Sequence, residues 1–194
     1  VNGEIEGAFV IRNQYRKHMK GMVDALSEEY TIHVLSGDNE GEKSRLQSIL
    51  GNHAKLNFNQ SPHDKLEYIQ SLQSNGKKIA FFGDGLNDAG ALQQSQFGVS
   101  ISENINSFSP ACDSILDANR FPDISQFMAL ARVSKKIIYA SFVFSFAYNI
   151  IGLGFAISGH LSPIVSAILM PLSSISIVVF VSVLSSIWAK KLLK

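Results

Sequence analysis

Cysteine is almost absent from this chain of 194 residues, since Cys112 is the single thiol. One cysteine excludes an internal disulfide and a cluster of cysteine ligands, and it is in keeping with a reducing compartment. The formal net charge is only +1, so no basic excess indicates a nucleic acid, and we predict no nucleic-acid partner. Val1 opens a polar stretch without the apolar core of a signal peptide, and none is expected.

Formal charge is missing from a long interval near the C-terminus. Residues 137–189 contain no Lys, Arg, Asp or Glu. One membrane-spanning helix needs about 20 apolar residues, so the interval accommodates two spans and a turn. Gly, Pro and polar residues cluster at 158–163, where a helix would end. We therefore predict spans at about 137–157 and 163–185, with the lipid bilayer as a partner.

The residues that flank this interval predict its orientation. Basic residues stay on the cytoplasmic side, and the connecting turn contains no Lys or Arg. We expect a multi-pass protein of the inner or plasma membrane, with its soluble part and C-terminus in the cytoplasm and His160 in the outward-facing turn. The predicted parts are a soluble domain (1–120), a linker helix (121–136), the two spans (137–189) and a basic tail (190–194). The flanking basic residues are Arg132, Lys135, Lys136, Lys190, Lys191 and Lys194.

The first 120 residues alternate between strand and helix patterns, which is typical of an α/β domain with a parallel sheet covered by helices. Helix signals include Ser61-Pro62 as a start, and Gly51 and Gly76 as ends. Strands are predicted at 8–11, 31–35, 78–82 and 98–101. Helices are predicted at 19–26, around 46–50, from Ser61 to Gly76, and at 89–94.

A Gly-Asp-Gly-Leu-Asn-Asp run, residues 83–88, follows the apolar strand at 78–82. Ligands bind where the strands of open α/β sheets end. Asp84 and Asp88 bring two carboxylates close together, which favours a neutralising cation, and hard oxygen ligands at a phosphate site favour Mg²⁺. Gly83 and Gly85 allow a tight turn and a close approach to phosphate. Asn87 can orient a phosphate oxygen or an attacking group.

Other polar groups are predicted near the same strand ends. Ser36 and the Gly37 amide follow the strand at 31–35 and can bond phosphoryl oxygens, and Lys65 offers them a positive charge. Asp38 in the same loop is a further candidate site residue. Two of these residues also have an ordinary structural explanation: Lys65 as a solvated helix residue, and Asp38 as a helix cap. An isolated Gly-Asp-Gly is usually only a turn, whereas the full run is far more specific. Together they predict a phosphoryl-transfer site without its nucleophile.

These motifs resemble the P-type cation-pumping ATPases, whose phosphorylation domain has the haloacid-dehalogenase fold. Residues 36–39 resemble that family's (T/S)-G-D loop, 62–65 its lysine segment and 83–88 its G-D-G-x-N-D motif. The resemblance implies that Asp84 and Asp88 bind or support Mg²⁺, and that ATP phosphorylates an aspartate in a D-K-T-G-T motif. This sequence contains no D-K-T-G-T and has Asn13 where the family has an aspartate. It is thus similar to the C-terminal portion of a longer pump, with an incomplete phosphorylation domain followed by a two-helix transmembrane hairpin.

The two spans narrow the resemblance to the heavy-metal subclass. Tyr148-Asn149, and Met170 with Ser173 and Ser174, resemble the Y-N and M-x-x-S-S motifs of its monovalent copper transporters. Cu⁺ prefers thioether and thiolate sulfur. The resemblance implies that Tyr148, Asn149, Met170 and Ser174 contact the transported ion. The short turn resembles the branch that serves cytochrome oxidase assembly. Pro171 is expected to kink its helix.

The resemblance also implies partners: the nucleotide-binding domain, the actuator domain and other membrane helices of the same pump, and a copper chaperone. Two other functions stay open from the sequence. One is a membrane-tethered haloacid-dehalogenase phosphatase, and the other is a non-catalytic remnant that binds a partner through the hairpin. Cys112 is expected to be inert, and His160 to be a turn residue with at most a role in ion release.

Overall fold

A computed structural model describes residues 18–103, 112–159 and 162–193. The chain forms two compact units, Val1–Pro122 and Asp123–Lys194. Three sequence-based expectations lie outside the described residues: the strand at 8–11, the segment around Asn13 and the turn at His160.

The first unit alternates strands and helices, and every strand pair in its described part is parallel. This confirms the α/β fold with a parallel sheet. Strands β1 and β2 form one pair, while β3, β4 and β5 form a second sheet in that order. The elements are α1 (Met19–Ser27), β1 (Ile32–Leu35), α2 (Lys43–Leu50), β2 (Ala54–Asn57), α3 (Pro62–Ser74), β3 (Ala80–Gly83), α4 (Ala89–Gln94), β4 (Phe97–Ser102) and β5 (Ser114–Asp117).

Helix α3 begins as its sequence predicts. The Ser61 hydroxyl accepts a hydrogen bond from the Asp64 amide, and the Asp64 carboxylate accepts one from the Ser61 amide, so the two residues form a capping box ahead of Pro62. The hydrogen bond from the Ser61 hydroxyl lowers the pKa of Asp64. The suggestion that Asp38 caps the following helix is wrong. The next element is a short 3-10 turn, Glu40–Glu42, and its N-cap is Asn39. The Asn39 side chain accepts a hydrogen bond from the Gly41 amide.

The second sheet packs closely on α4, and at Gly98 the backbone of β4 lies against the backbone of α4. Leu92 on α4 is fully buried, and Val99 on β4 is 4% exposed. A Cβ added to Gly98 would collide with the Leu92 carbonyl group, lying 2.9 Å from its carbon. Glycine is therefore required at the start of β4 because a neighbouring backbone occupies the space of a side chain.

The second unit is a helical hairpin. It consists of α5 (Ile124–Ile157) and α6 (Pro163–Leu192), both long and apolar enough to cross a membrane. Helix α5 also includes the segment that the sequence assigned to a linker helix. The Ser162 hydroxyl caps α6 by accepting from the Val165 amide, and α6 continues as one helix through Pro171.

A ring stack and a side-chain hydrogen bond are among the contacts that join the helices of the hairpin. The rings of Phe144 and Phe180 stack with their centroids 5.6 Å apart. Nearer the turn, the Tyr148 hydroxyl donates a hydrogen bond of 2.9 Å to the Leu169 carbonyl. Because the helices are antiparallel, the start of α5 and the end of α6 lie at the same end of the hairpin.

We expect Gly98→Ala to destabilise the first unit by about 2 kcal/mol, because its methyl group can be accommodated only if the α4 backbone moves. Gly90→Ala is the matched control. Its added Cβ would make an ordinary contact with Leu66 at 3.8 Å, and alanine favours a helix, so stability should be unchanged or slightly higher. Thermal unfolding of the detergent-solubilised protein measures both. Equal melting temperatures for the two variants would contradict the packing argument.

Candidate phosphoryl-transfer and ion-transport sites

The loop at 83–88 connects β3 to α4. Gly83 is the last residue of β3, and Asp88 occupies the N-cap position of α4. The loop therefore begins at the carboxyl end of a parallel strand, where α/β proteins bind their ligands. Gly85 has φ +93°, a conformation that side chains rarely adopt, so the turn needs glycine at this position.

Asp88 is held by an ion pair with Lys65. The Lys65 ammonium donates to Asp88 Oδ1 at 2.7 Å, and the two side chains are only 13% and 10% exposed. Lys65 lies on the first turns of α3, so the pair joins α3 to the loop. In this structure the Lys65 ammonium neutralises the Asp88 carboxylate. The sequence had instead predicted that the Lys65 ammonium would interact with phosphoryl oxygens.

Gly83 makes room for this buried carboxylate. A Cβ added at Gly83 would lie 2.8 Å from the Cβ of Asp88 and also too close to its carboxylate. Gly83 is thus required for the position of the Asp88 side chain.

Asp84 and Asn87 differ from Asp88 because both are exposed. Leu86 between them is 92% exposed. The loop therefore presents one carboxylate and one amide outward and keeps the second carboxylate paired inside. Mg²⁺ is commonly held by one or two carboxylates together with waters and substrate phosphate oxygens, so the donor set around Asp84 fits that ion.

Residues 36–38 form a second loop, at the end of β1. The Ser36 hydroxyl accepts from the Asp38 amide at 3.1 Å, and the Ser36 carbonyl accepts from the Gln60 amide at 2.9 Å. The Asp38 carbonyl accepts from the Asn59 amide at 2.9 Å. A Cβ on Gly37 would be 3.3 Å from the Gln60 carbonyl oxygen, so a larger residue would press on the neighbouring chain.

Helix α3 connects the two loops to each other. On its first turns Lys65 binds Asp88, and one turn later the Tyr68 hydroxyl is 2.7 Å from Nδ1 of His33 on β1. Burial and the nearby charge of Lys55 lower the pKa of His33. The neutral imidazole is therefore favoured near neutral pH, and α3 is anchored both at the 83–88 loop and at β1.

The proposed ion ligands in the hairpin have different surroundings. Tyr148 bonds the backbone of α6, whereas Asn149 lines a shallow depression of about 500 Å³ on α5 with Phe142 and Phe146. Met170 is 80% exposed, and Ser174 is also exposed. In the described part of the chain, no group of three or more His, Cys, Asp or Glu residues could hold a metal ion.

Sequence reasoning missed three contacts that shape these sites. They are the Lys65–Asp88 ion pair, the His33–Tyr68 contact, and the bond from Tyr148 to a backbone carbonyl. The first two join residues far apart in the chain, and the third uses an acceptor that every residue has. Nothing in the local sequence pattern points to them.

We expect Lys65→Met to lower stability by about 3 kcal/mol, because it leaves the Asp88 carboxylate buried without a counter-charge. Adding Asp88→Asn should restore part of the loss, with a coupling energy of about 2 kcal/mol. Hydrogen exchange of the α4 amides in the detergent-solubilised protein measures both.

The matched control is the ion pair between Lys43 and Glu40, whose side chains are 49% and 62% exposed. The coupling energy of this exposed pair should be below about 1 kcal/mol. Equal coupling in the two pairs would refute the role given to burial.

Comparison with known proteins agrees with the fold of both units. Residues 1–96 match the haloacid dehalogenase-like hydrolase family. The chain is similar to the crystal structure of a zinc-transporting PIB-type ATPase, with a TM-score of 0.75 over 87% of this chain and 28% of that one. At 19% identity this likeness shows the fold alone.

Sequence relatives cover both units of the chain. It is 33% identical over 185 residues to the chloroplastic copper-transporting ATPase PAA2 of Arabidopsis thaliana, covering 90% of this chain and 21% of the relative. It is also 28% identical to the probable copper-importing P-type ATPase A of Enterococcus hirae, and this match covers 90% of this chain and 24% of the relative. The chain spans about a quarter of the length of the curated relatives it matches. These relatives are copper-transporting P-type ATPases, and the chain is homologous to a part of them that includes the haloacid-dehalogenase-like unit and the two apolar helices.

Proposed function

We propose that this chain is part of an ATP-driven heavy-metal pump, in which it supplies one half of the phosphorylation site and two membrane helices. The observation that carries the proposal is the loop at 83–88, where Asp84 is exposed beside a buried Lys65–Asp88 pair at the end of a parallel strand. The phosphorylated aspartate and the nucleotide-binding domain would come from other segments of the pump.

The residues of the loop have distinct roles in this proposal. Asp84 and the loop backbone would hold Mg²⁺, which supplies positive charge to the transferred phosphoryl group. Lys65 holds Asp88, and this fixes the turn from which Asp84 and Asn87 project. Ser36 and the Gly37 amide would donate hydrogen bonds to phosphoryl oxygens, where preorganised donors stabilise developing charge.

The transported ion that we propose is Cu⁺, moved out of the cytoplasm. The thioether of Met170 is a soft ligand that suits Cu⁺, and the names of several relatives include copper transport. Since Asn149, Met170 and Ser174 are exposed on the hairpin, helices from the rest of the pump would complete the site. Basic residues at both outer ends of the hairpin favour a cytoplasmic soluble unit and C-terminus. A copper chaperone as donor, and the branch serving cytochrome oxidase assembly, stay predictions from the sequence.

Asp84→Asn should abolish phosphoenzyme formation from ATP in the full-length protein, because it removes the exposed carboxylate of the loop. Glu67→Gln is the matched control, since it neutralises an exposed carboxylate on α3 whose partner is His63, and it should leave phosphorylation intact. Acid-stable label from radioactive ATP measures the phosphoenzyme. Normal labelling of Asp84→Asn would refute the proposed Mg²⁺ site, and phosphatase activity without labelling would favour the tethered phosphatase.

Met170→Leu should strongly reduce copper-stimulated ATPase activity, because it keeps the volume of the side chain and removes its sulfur. The control is Ile168→Leu, which alters an apolar residue two positions before Met170. The Ile168 side chain is 60% exposed and that of Met170 is 80% exposed, so both changes are made on the surface of α6. ATP hydrolysis at increasing Cu⁺ concentration measures both variants. Undiminished stimulation in Met170→Leu would remove this residue from the transport path.

A further inference from the structure

Beyond Asp123, the formal charge of the hairpin is all of one sign. No Asp or Glu follows Asp123, whereas Arg132, Lys135, Lys136, Lys190, Lys191 and Lys194 all lie beyond it. The antiparallel contacts of Phe144 with Phe180 and of Tyr148 with Leu169 bring the start of α5 and the end of α6 to one end. The described basic residues beyond Asp123 are thus concentrated at one end of the hairpin, and Asp123 is the single acidic residue of this unit.

Two of these lysines lie over aromatic rings. The Lys135 ammonium is 5.9 Å from the centroid of the Tyr139 ring, and the Lys191 ammonium is 5.0 Å from that of Trp188. Tyrosine and tryptophan prefer the level of the lipid headgroups. An ammonium group over such a ring is attracted to its face, so each pair holds a positive charge at headgroup level.

A shallow groove runs along α6 beside the second of these pairs. It encloses about 270 Å³ and is lined by Ser182, Val183, Ser186, Ile187 and Lys190. These positions recur every three or four residues and so form one face of the helix. From Ser182 to Lys190 the groove is about 12 Å long, with small or apolar side chains along it and a cation at its outer end.

We propose that this end of α6 is a binding site for an anionic glycerophospholipid. Lys190 and Lys191 contact the phosphate, and one acyl chain lies in the groove between Ser182 and Ile187. A lipid satisfies both features of the surface, because it joins a negative headgroup to an apolar chain, whereas free phosphate would use only the lysines. This inference goes beyond the proposed pump function, and its test does not depend on copper or ATP.

The test uses the full-length protein in phosphatidylcholine vesicles that contain a small fraction of spin-labelled phosphatidylglycerol or, separately, spin-labelled phosphatidylcholine. Electron paramagnetic resonance reports the motionally restricted lipid. We expect the wild type to prefer phosphatidylglycerol several-fold. Lys190→Gln with Lys191→Gln should abolish most of this preference, since each basic residue near an anionic surface changes affinity by about fivefold. Lys77→Gln with Lys78→Gln removes the same charge from the first unit and should have no effect.

A second variant tests the groove separately from the charge. Ser186→Phe should fill the groove and weaken binding of labelled phosphatidylglycerol while Lys190 and Lys191 remain. Unchanged preference in the double lysine variant would overturn the proposal, as would an equal affinity of the wild type for both lipids. Displacement of the lipid by millimolar inorganic phosphate would also overturn it, because the site would then recognise the anion alone. Elution of each variant as a single species in size-exclusion chromatography confirms that it is folded.

Discussion

The buried ion pair between Lys65 and Asp88 is the contact on which the arrangement of the first unit depends. It joins α3 to the loop at 83–88, and the His33–Tyr68 contact then links the same helix to β1. A buried pair gives little net stability because both charges must leave water. The pair does restrict the position of the Asp88 side chain, because that side chain can reach Lys65 only through the space that the missing Cβ of Gly83 leaves. The distant Lys65 and the nearby Gly83 thereby determine together the orientation of one turn.

This pairing changes the electrostatics expected of the Gly-Asp-Gly-Leu-Asn-Asp run. Two adjacent carboxylates would require a cation to neutralise them, but Lys65 already balances Asp88. Asp84 then presents a single negative charge on an exposed surface. A single carboxylate binds Mg²⁺ weakly until phosphate oxygens complete the coordination shell, which suits a site where metal and phosphorylated group are bound together.

The sequence predicted those parts of the fold whose signals are local. The Ser61-Pro62 start of α3 is confirmed because capping residues act on their own neighbours, and the predicted extent of α4 is also confirmed. Strands β2 and β5 were missed. Each has four residues, with polar ones at Lys55 and at Ser114, and each becomes a strand by pairing with a neighbour already in the sheet. The sequence also proposed the charged residues of the candidate site, whereas the choice of Asp88 as partner for Lys65 depends on tertiary packing.

The hairpin shows how the bilayer constrains polar groups in a different way. Hydroxyl and amide groups in hydrocarbon need internal partners. The Tyr148 hydroxyl obtains one from the Leu169 carbonyl and the Ser141 hydroxyl from the Ile138 carbonyl. Asn149 instead lies on the exposed face of α5, and Met170 is 80% exposed on α6. A polar amide on a lipid-exposed surface is costly, so in the proposed pump the exposed face with Asn149 would pack against further membrane helices. The proposed ligands Asn149 and Met170 are both exposed, so the same packing would cover them and could complete the proposed ion site.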